Sequence, residues 1–222
     1  LPYAVRKQGA GLVNLLNSVT SASFLTTYDR DTDKAMDKSK LELKDDKERT
    51  GVYTATFDIN NVSGSSVTYD LSTIIKTEGV SETYTTHGDT VVTQEGYLLS
   101  GTTFEVKNVE NGSKNGTSVS IAANSVAKVT VEIRLSDEDK AYLERSFKYG
   151  MYVEGFIRFK ATAGTTVNLN LPLLSFYGDW TEAPIFDEEY YDTNVDEVNA
   201  GLDDKDKLMA DAFATRVIGG LY

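Results

Sequence analysis

The stretch Lys148–Asp187, KYGMYVEGFIRFKATAGTTVNLNLPLLSFYGDWTEAPIFD, decides how the rest of the chain is read. From Met151 to Phe159 apolar and polar residues alternate, with Met151, Val153 and Phe159 on one face. From Val167 to Leu173 they alternate again, with Val167, Leu169, Leu171 and Leu173 facing one way. A two-residue period of this kind marks strands with one face buried. The stretch closes in Phe176-Tyr177-Gly178-Asp179-Trp180, with the only tryptophan of the chain, and Ala183-Pro184-Ile185-Phe186-Asp187. Trp180 is expected to plug the exit of the last strand beside Phe176 and Pro184, since a large ring gains most from burial. The competing reading is an exposed Trp–Tyr cluster that binds a glycan or peptide.

Working outward, the same period recurs upstream. Leu41 and Leu43 alternate with charges, and Tyr53, Ala55, Phe57 and Ile59 form a buried row. Asn60-Asn61 and Ser63-Gly64-Ser65 then make a turn. Val67, Tyr69 and Leu71 share a side, and Val80–Thr93 suggests one or two strands about His87-Gly88-Asp89. Phe104, Val106 and Val109 mark another strand, followed by the turn-forming pairs Asn111-Gly112 and Asn115-Gly116. Val119 and Ile121 resume the pattern, and Val129, Val131, Ile133 and Leu135 give the cleanest strand. One helix interrupts the series. Ser136 is its N-cap with Asp139 three residues on, Tyr142, Leu143, Ser146 and Phe147 recur at helical spacing, and Gly150 stops it. About eight strands without βα alternation predict an all-β antiparallel sandwich with one short helical insertion.

The flanks differ from this centre. Leu1–Asn17 bunches apolar residues around two glycines and reads as a glycine-bent turn leading into a short helix. Ser18–Tyr28 reads as extended and Asp29–Lys40 as a hydrophilic loop. After Asp187 the period dissolves, so residues 188–222 read as an acidic linker or the start of a further module. The net charge is −12, and between Thr181 and Ala212 eleven acidic residues face only Lys205 and Lys207. Such a chain repels phosphate backbones, which argues against nucleic acid and anionic membranes as partners. It has no cysteine, one histidine and no apolar run long enough to span a membrane. Disulfides, thiolate zinc sites and cysteine nucleophiles are thereby excluded, and a histidine-based metal or catalytic site is disfavoured.

Other motifs look like chemistry and are better read as structure. His87-Gly88-Asp89 and Ser100-Gly101-Thr102-Thr103 are loosely similar to histidine and serine motifs of a hydrolase. A triad needs hydroxyl, imidazole and carboxylate assembled in space, yet these pieces sit one β-connection apart with a threonine where the serine should stand. Asp29, Asp31 and Asp33 have the alternation of a calcium loop, but Lys34 and Lys40 occupy positions that need glycine and glutamate. Asp187, Glu188, Glu189 and Asp192 are of the type that holds calcium at a domain junction, against the plainer reading of a solvated tail. The sequons at Asn61, Asn111 and Asn115 are read as turn residues.

Several segments resemble one family in that family's own order. YAVRKQGAGLVN, with Gln8, Gly9 and Gly11, resembles the segment closing the catalytic domain of subtilisin-like proteases. Tyr152-Val153-Glu154-Gly155-Phe156 after the short helix, then Tyr177, Gly178, Asp179, Trp180, Pro184 and Asp187, resemble the fibronectin-III-like domain that follows it in bacterial cell-envelope enzymes of the lactocepin and C5a peptidase type. Leu174-Ser175 departs from the glycine that the family often places before the aromatic. The resemblance implies an immunoglobulin/fibronectin-III-like sandwich over residues 18–187, with residues 1–17 a remnant of the catalytic domain. It further implies a non-catalytic accessory role without a cofactor. The partners would be the catalytic domain of the same polypeptide and, indirectly, its protein substrate, at the bacterial cell surface or wall. An independent adhesion or ligand-binding module is the alternative.

Overall fold

In the computed structural model, described for residues 3–182 apart from 10, 30, 33, 37–38 and 87–88, eleven strands and three helices follow one another. The helices are α1 (Val5–Gln8), α2 (Leu15–Thr20) and α3 (Asp137–Ser146). The strands are β1 (Ser23–Thr27), β2 (Leu41–Asp46), β3 (Val52–Asn61), β4 (Val67–Thr86), β5 (Asp89–Leu98), β6 (Thr103–Glu110), β7 (Ser113–Asn115), β8 (Ser118–Ile121), β9 (Ser125–Arg134), β10 (Met151–Ala163) and β11 (Leu169–Tyr177). They form two sheets. The smaller has the order β1-β3-β9-β6; the larger runs β2-β11-β10-β4-β8-β7, with β5 also paired to β4.

The sandwich expected from the two-residue period is therefore present, and the alternating rows supply its interior. Tyr53, Ala55, Phe57 and Ile59 of β3 and Ala127, Val129, Val131 and Ile133 of β9 face Tyr69, Leu71 and Ile75 of β4 and Val153, Ile157 and Phe159 of β10, all buried. Phe159 is the hinge of this packing, edge-to-face with Phe57 at 5.5 Å and with Tyr69 at 6.2 Å. Each valine, leucine, isoleucine or phenylalanine among them contributes about 1.5–3 kcal/mol by leaving water. Residues Leu1–Trp180 make one compact unit, so α1 and α2 belong with the sandwich.

Two details depart from the expectation. β2 runs parallel to β11, because the chain begins the large sheet at its edge, crosses to β3 in the other sheet, and returns last as β11. Ser18–Thr20 is helical instead of extended, because the Asn14 side chain accepts a hydrogen bond from the Asn17 N–H at 3.0 Å and starts α2. Val80–Thr93 holds parts of two strands, β4 and β5, within the one or two expected; β4, at twenty residues, is long enough to pair with β10, β8 and β5 in turn.

Helix α3 follows its sequence signal closely. Ser136 Oγ accepts from the Asp139 N–H at 3.1 Å, and Asp139 Oδ2 accepts from the Ser136 N–H at 3.3 Å. This capping box seats Tyr142 and Leu143 in the core. Asp139 also accepts from Gly101 N and Thr102 Oγ1. The Ser100–Thr103 segment is thus a turn held by the helix cap. Asn61 is likewise structural: its amide donates to the Ser65 and Ala122 carbonyls at 2.8 Å each, and its Oδ1 takes the Ser63 N–H. Asp29 caps Thr32 and Asp31 pairs with Lys44. His87, Pro184, Asp187 and the remaining tail acids lie outside the described residues.

Candidate functional site

Strand β10 should show one buried face, yet its residues 153–157 are buried on both. The inward face holds Val153, Gly155 and Ile157. The outward face holds Tyr152, Glu154 and Phe156, and α1 covers it. Gly155 makes the pairing with β4 close: a Cβ there would lie 2.0 Å from the Ile74 carbonyl oxygen.

Glu154 is fully buried, 148 residues away in sequence from the partner that balances it. The Arg6 N–H donates to Glu154 Oε2 at 2.8 Å, and Arg6 Nε donates to Oε1 at 2.9 Å. The other end of the guanidinium reaches Glu78 Oε1 of β4 at 2.6 Å, and Lys7 Nζ bonds Glu78 Oε2. Lys7 also donates to the Thr93 carbonyl at 3.0 Å. Two cations thus meet two buried carboxylates, and each of the four oxygens accepts one hydrogen bond, that of Glu154 Oε2 coming from the Arg6 backbone. That is the arrangement in which buried charge is tolerated. The Arg6 guanidinium lies 3.9 Å from the centre of the Tyr152 ring and adds a cation–π contact.

Around this clamp the sequence-predicted positions come together. Gln8, Gly9 and Gly11 continue from α1 across the outer face and border a concavity with Phe156. Tyr152 links the clamp to Phe176 (5.4 Å) and Trp180 (5.3 Å). Trp180 is not the expected plug. Its ring touches Phe176 at 5.1 Å, yet it remains 55% exposed, because its backbone N–H is tied to Asp45 at the open edge strand β2. Asp179 pairs with Lys47, and Gly178 turns at φ +128° beside Gly150. Tyr177 points inward and donates its hydroxyl to Glu144 Oε1 at 2.9 Å. Burial first, and the carboxylate second, push its phenol well above the ordinary value.

Arg6 and Glu78 were given no role by sequence reasoning. Arg6 lay within the motif that carries Gln8 and Gly9, but a lone arginine does not announce its partner. Glu78 sits in the stretch where only strand alternation was visible.

Beyond the clamp the chain runs out over a distinct surface. From Gly9 to Tyr28 no residue is charged. Leu12 is completely exposed, and Val13, Leu15, Leu16 and Val19 are each more than two-thirds exposed. On a chain of net charge −12 this is a neutral ledge of closely spaced exposed apolar side chains, the kind of surface that marks interaction sites. Among the described residues no group of three or more His, Asp or Glu is arranged to hold a metal ion. No described helix is long and apolar enough to cross a membrane.

The profile of the Fn3-like domain family matches residues 41–174. The PI-type proteinase of Lactococcus lactis subsp. cremoris is 28% identical over 185 residues, covering 82% of this chain and 8% of the proteinase. The PII-type proteinase of Lacticaseibacillus paracasei shows the same identity and coverage. The C5a peptidase of Streptococcus pyogenes serotype M1 is 28% identical over 214 residues, covering 94% of this chain and 16% of the peptidase. The chain therefore spans less than a fifth of the length of these relatives.

Proposed function

This chain belongs to the Fn3-like domain family, and from that premise we propose that it is a non-catalytic accessory domain of a secreted, cell-wall-associated subtilisin-like serine protease. In this reading residues 1–17 are the closing segment of the catalytic domain, and the sandwich supports that domain and shapes substrate access. No cofactor is needed for the role.

The observation that carries the reading is the path of the N-terminal segment. Its first part is clamped into the outer face by Arg6 and Lys7, and its second part presents Leu12, Val13, Leu15, Leu16 and Val19 with nothing to cover them. A neutral apolar ledge anchored by buried ion pairs suits an interface with a neighbouring domain: apolar area for its centre and fixed geometry at its root. The alternative, an adhesion module, calls for an exposed aromatic or apolar patch away from the protease-facing edge. The half-exposed Trp180 packs on Tyr152 and on the buried Phe176, so it offers one exposed ring and not a patch.

The test is Leu15→Asp/Leu16→Asp, made both in the 222-residue chain and in the full-length polypeptide. In the isolated chain these exposed positions should change stability by no more than about 0.5 kcal/mol. In the full-length protein the same pair should lower the melting temperature of the protease domain and its yield of active enzyme. Equal melting temperature, yield and cleavage pattern in the full-length protein would sink the proposal.

A further inference from the structure

Beside α1, on the same outer face, lies a concavity of about 390 Å³ that the accessory reading does not use. Its wall is the strap at Gln8, Gly9 and Gly11; its floor is Phe156 and Ile74; Arg158 and Asn170 stand at its far side. Gly9 and Gly11 have φ of +73° and +113°, and a Cβ at either would meet nothing within 4 Å, so the wall leaves the approach open. Phe156 is only 6% exposed and gives the floor a fixed apolar surface.

Arg158 is exposed on β10, and its side chain makes no hydrogen bond, ion pair or ring contact among the described residues. Asn170 stands directly opposite it in the β10–β11 register, and its side-chain amide is equally uncommitted among the described residues. Arg6, Lys7, Lys44 and Lys47, by contrast, each hold a carboxylate on this chain. An unmatched guanidinium beside an amide, at the rim of an apolar floor, is a fork without its acid. Arginine's planar donors match a carboxylate two at a time.

We propose that this cradle receives a glutamate or aspartate side chain from an extended polypeptide partner, with an apolar neighbour of that residue resting on Phe156 and Ile74. One cation is matched to one carboxylate; a phosphate dianion would call for more positive charge than the single guanidinium supplies. Nucleic acid and anionic lipid surfaces carry many charges and meet the whole molecule's net charge of −12, whereas one carboxylate meets the local guanidinium. The inference stands on Arg158 and its surroundings and not on the accessory role, so the Leu15/Leu16 test and this one succeed or fail separately.

The experiment titrates the ¹⁵N-labelled 222-residue chain with Ac-Leu-Glu-Leu-NH₂, with Ac-Leu-Gln-Leu-NH₂ and with sodium acetate, each followed by amide chemical shifts. The glutamate peptide should bind in about the millimolar range and shift Gly9, Phe156, Arg158 and Asn170. The glutamine peptide should bind about ten-fold more weakly, since it loses the charge-assisted pair. Arg158→Ala, at an exposed position, should keep the fold and the melting temperature and reduce the glutamate peptide to the level of the glutamine one. Equal binding of the two peptides, no binding, wild-type binding by Arg158→Ala, or shifts centred on Trp180 would each overturn the proposal. Acetate as tight as the peptide would overturn the assignment to a polypeptide.

Discussion

Replacing Arg6 with alanine tests the feature on which the outer face depends. Glu154 is wholly buried and Arg6 supplies both of its donors, one from the backbone and one from the guanidinium. Alanine keeps the backbone donor and removes the charge. Removing one partner of a buried ion pair costs about 3–5 kcal/mol, because the other is left desolvated without compensation. Arg6 is 32% exposed, so water reaches part of the pair and screens it; Lys7 also still neutralises Glu78. The expected loss is therefore about 2–3 kcal/mol. Glu154→Gln removes the charge that needs balancing and keeps the shape, so it should cost about 1 kcal/mol. Combining the two should lose less than their sum, with a coupling of at least about 1 kcal/mol, because the second change removes what the first exposed. Equilibrium urea unfolding of the 222-residue chain reads all four corners of the cycle. If Arg6→Ala lies within about 0.5 kcal/mol of the parent, or the double variant is additive, the buried pair is not what holds the strap.

Other perturbations reach other parts of the fold. Gly155→Ala would set a Cβ 2.0 Å from the Ile74 carbonyl and force β10 from β4, with an expected cost of about 3 kcal/mol; Gly64→Ala, with nothing within 4 Å, should be nearly neutral in the same thermal melts. Ser136→Ala should cost about 1 kcal/mol through the lost cap, and Asp139→Ala should cost more, because Asp139 also holds Gly101 and Thr102. Burial raises the phenols of Tyr53, Tyr142 and Tyr177 above their ordinary value of 10.0, so the folded state keeps protons that the unfolded chain releases. Stability from these groups is complete below pH 10 and falls as pH rises past it. Urea midpoints measured from pH 8 to 11 should decline over the upper part of that range, and Tyr177→Phe should flatten the decline; an unchanged slope would count against the assignment.

How far the sequence carried depended on whether the signal was local. The β-sandwich was legible because alternation along β3, β9, β10 and β11 places every second side chain inward wherever those strands lie. The capping box at Ser136 and Asp139 was legible for the same reason, since its partners sit three residues apart. The family motifs were legible too, but as markers without a geometry. Trp180 shows the limit: the rings of Tyr152 and Phe176 around it are real contacts, and yet its exposure is set by Asp45 on a strand 135 residues earlier.

The sequence by itself determined the periods, the turns, the capping of α3 and the absence of cysteine, because these follow from neighbours along the chain. Only the tertiary structure decided that Glu154, an outward residue by its place in the alternation, is buried beneath α1 and balanced by Arg6. Only it decided that Leu12–Val19 forms an uncovered ledge and that Arg158 faces a concavity without an acid. Period-two alternation says which residues share a face of a strand. What lies on that face is settled by long-range packing, and there a desolvated charge must find its partner at any distance along the chain.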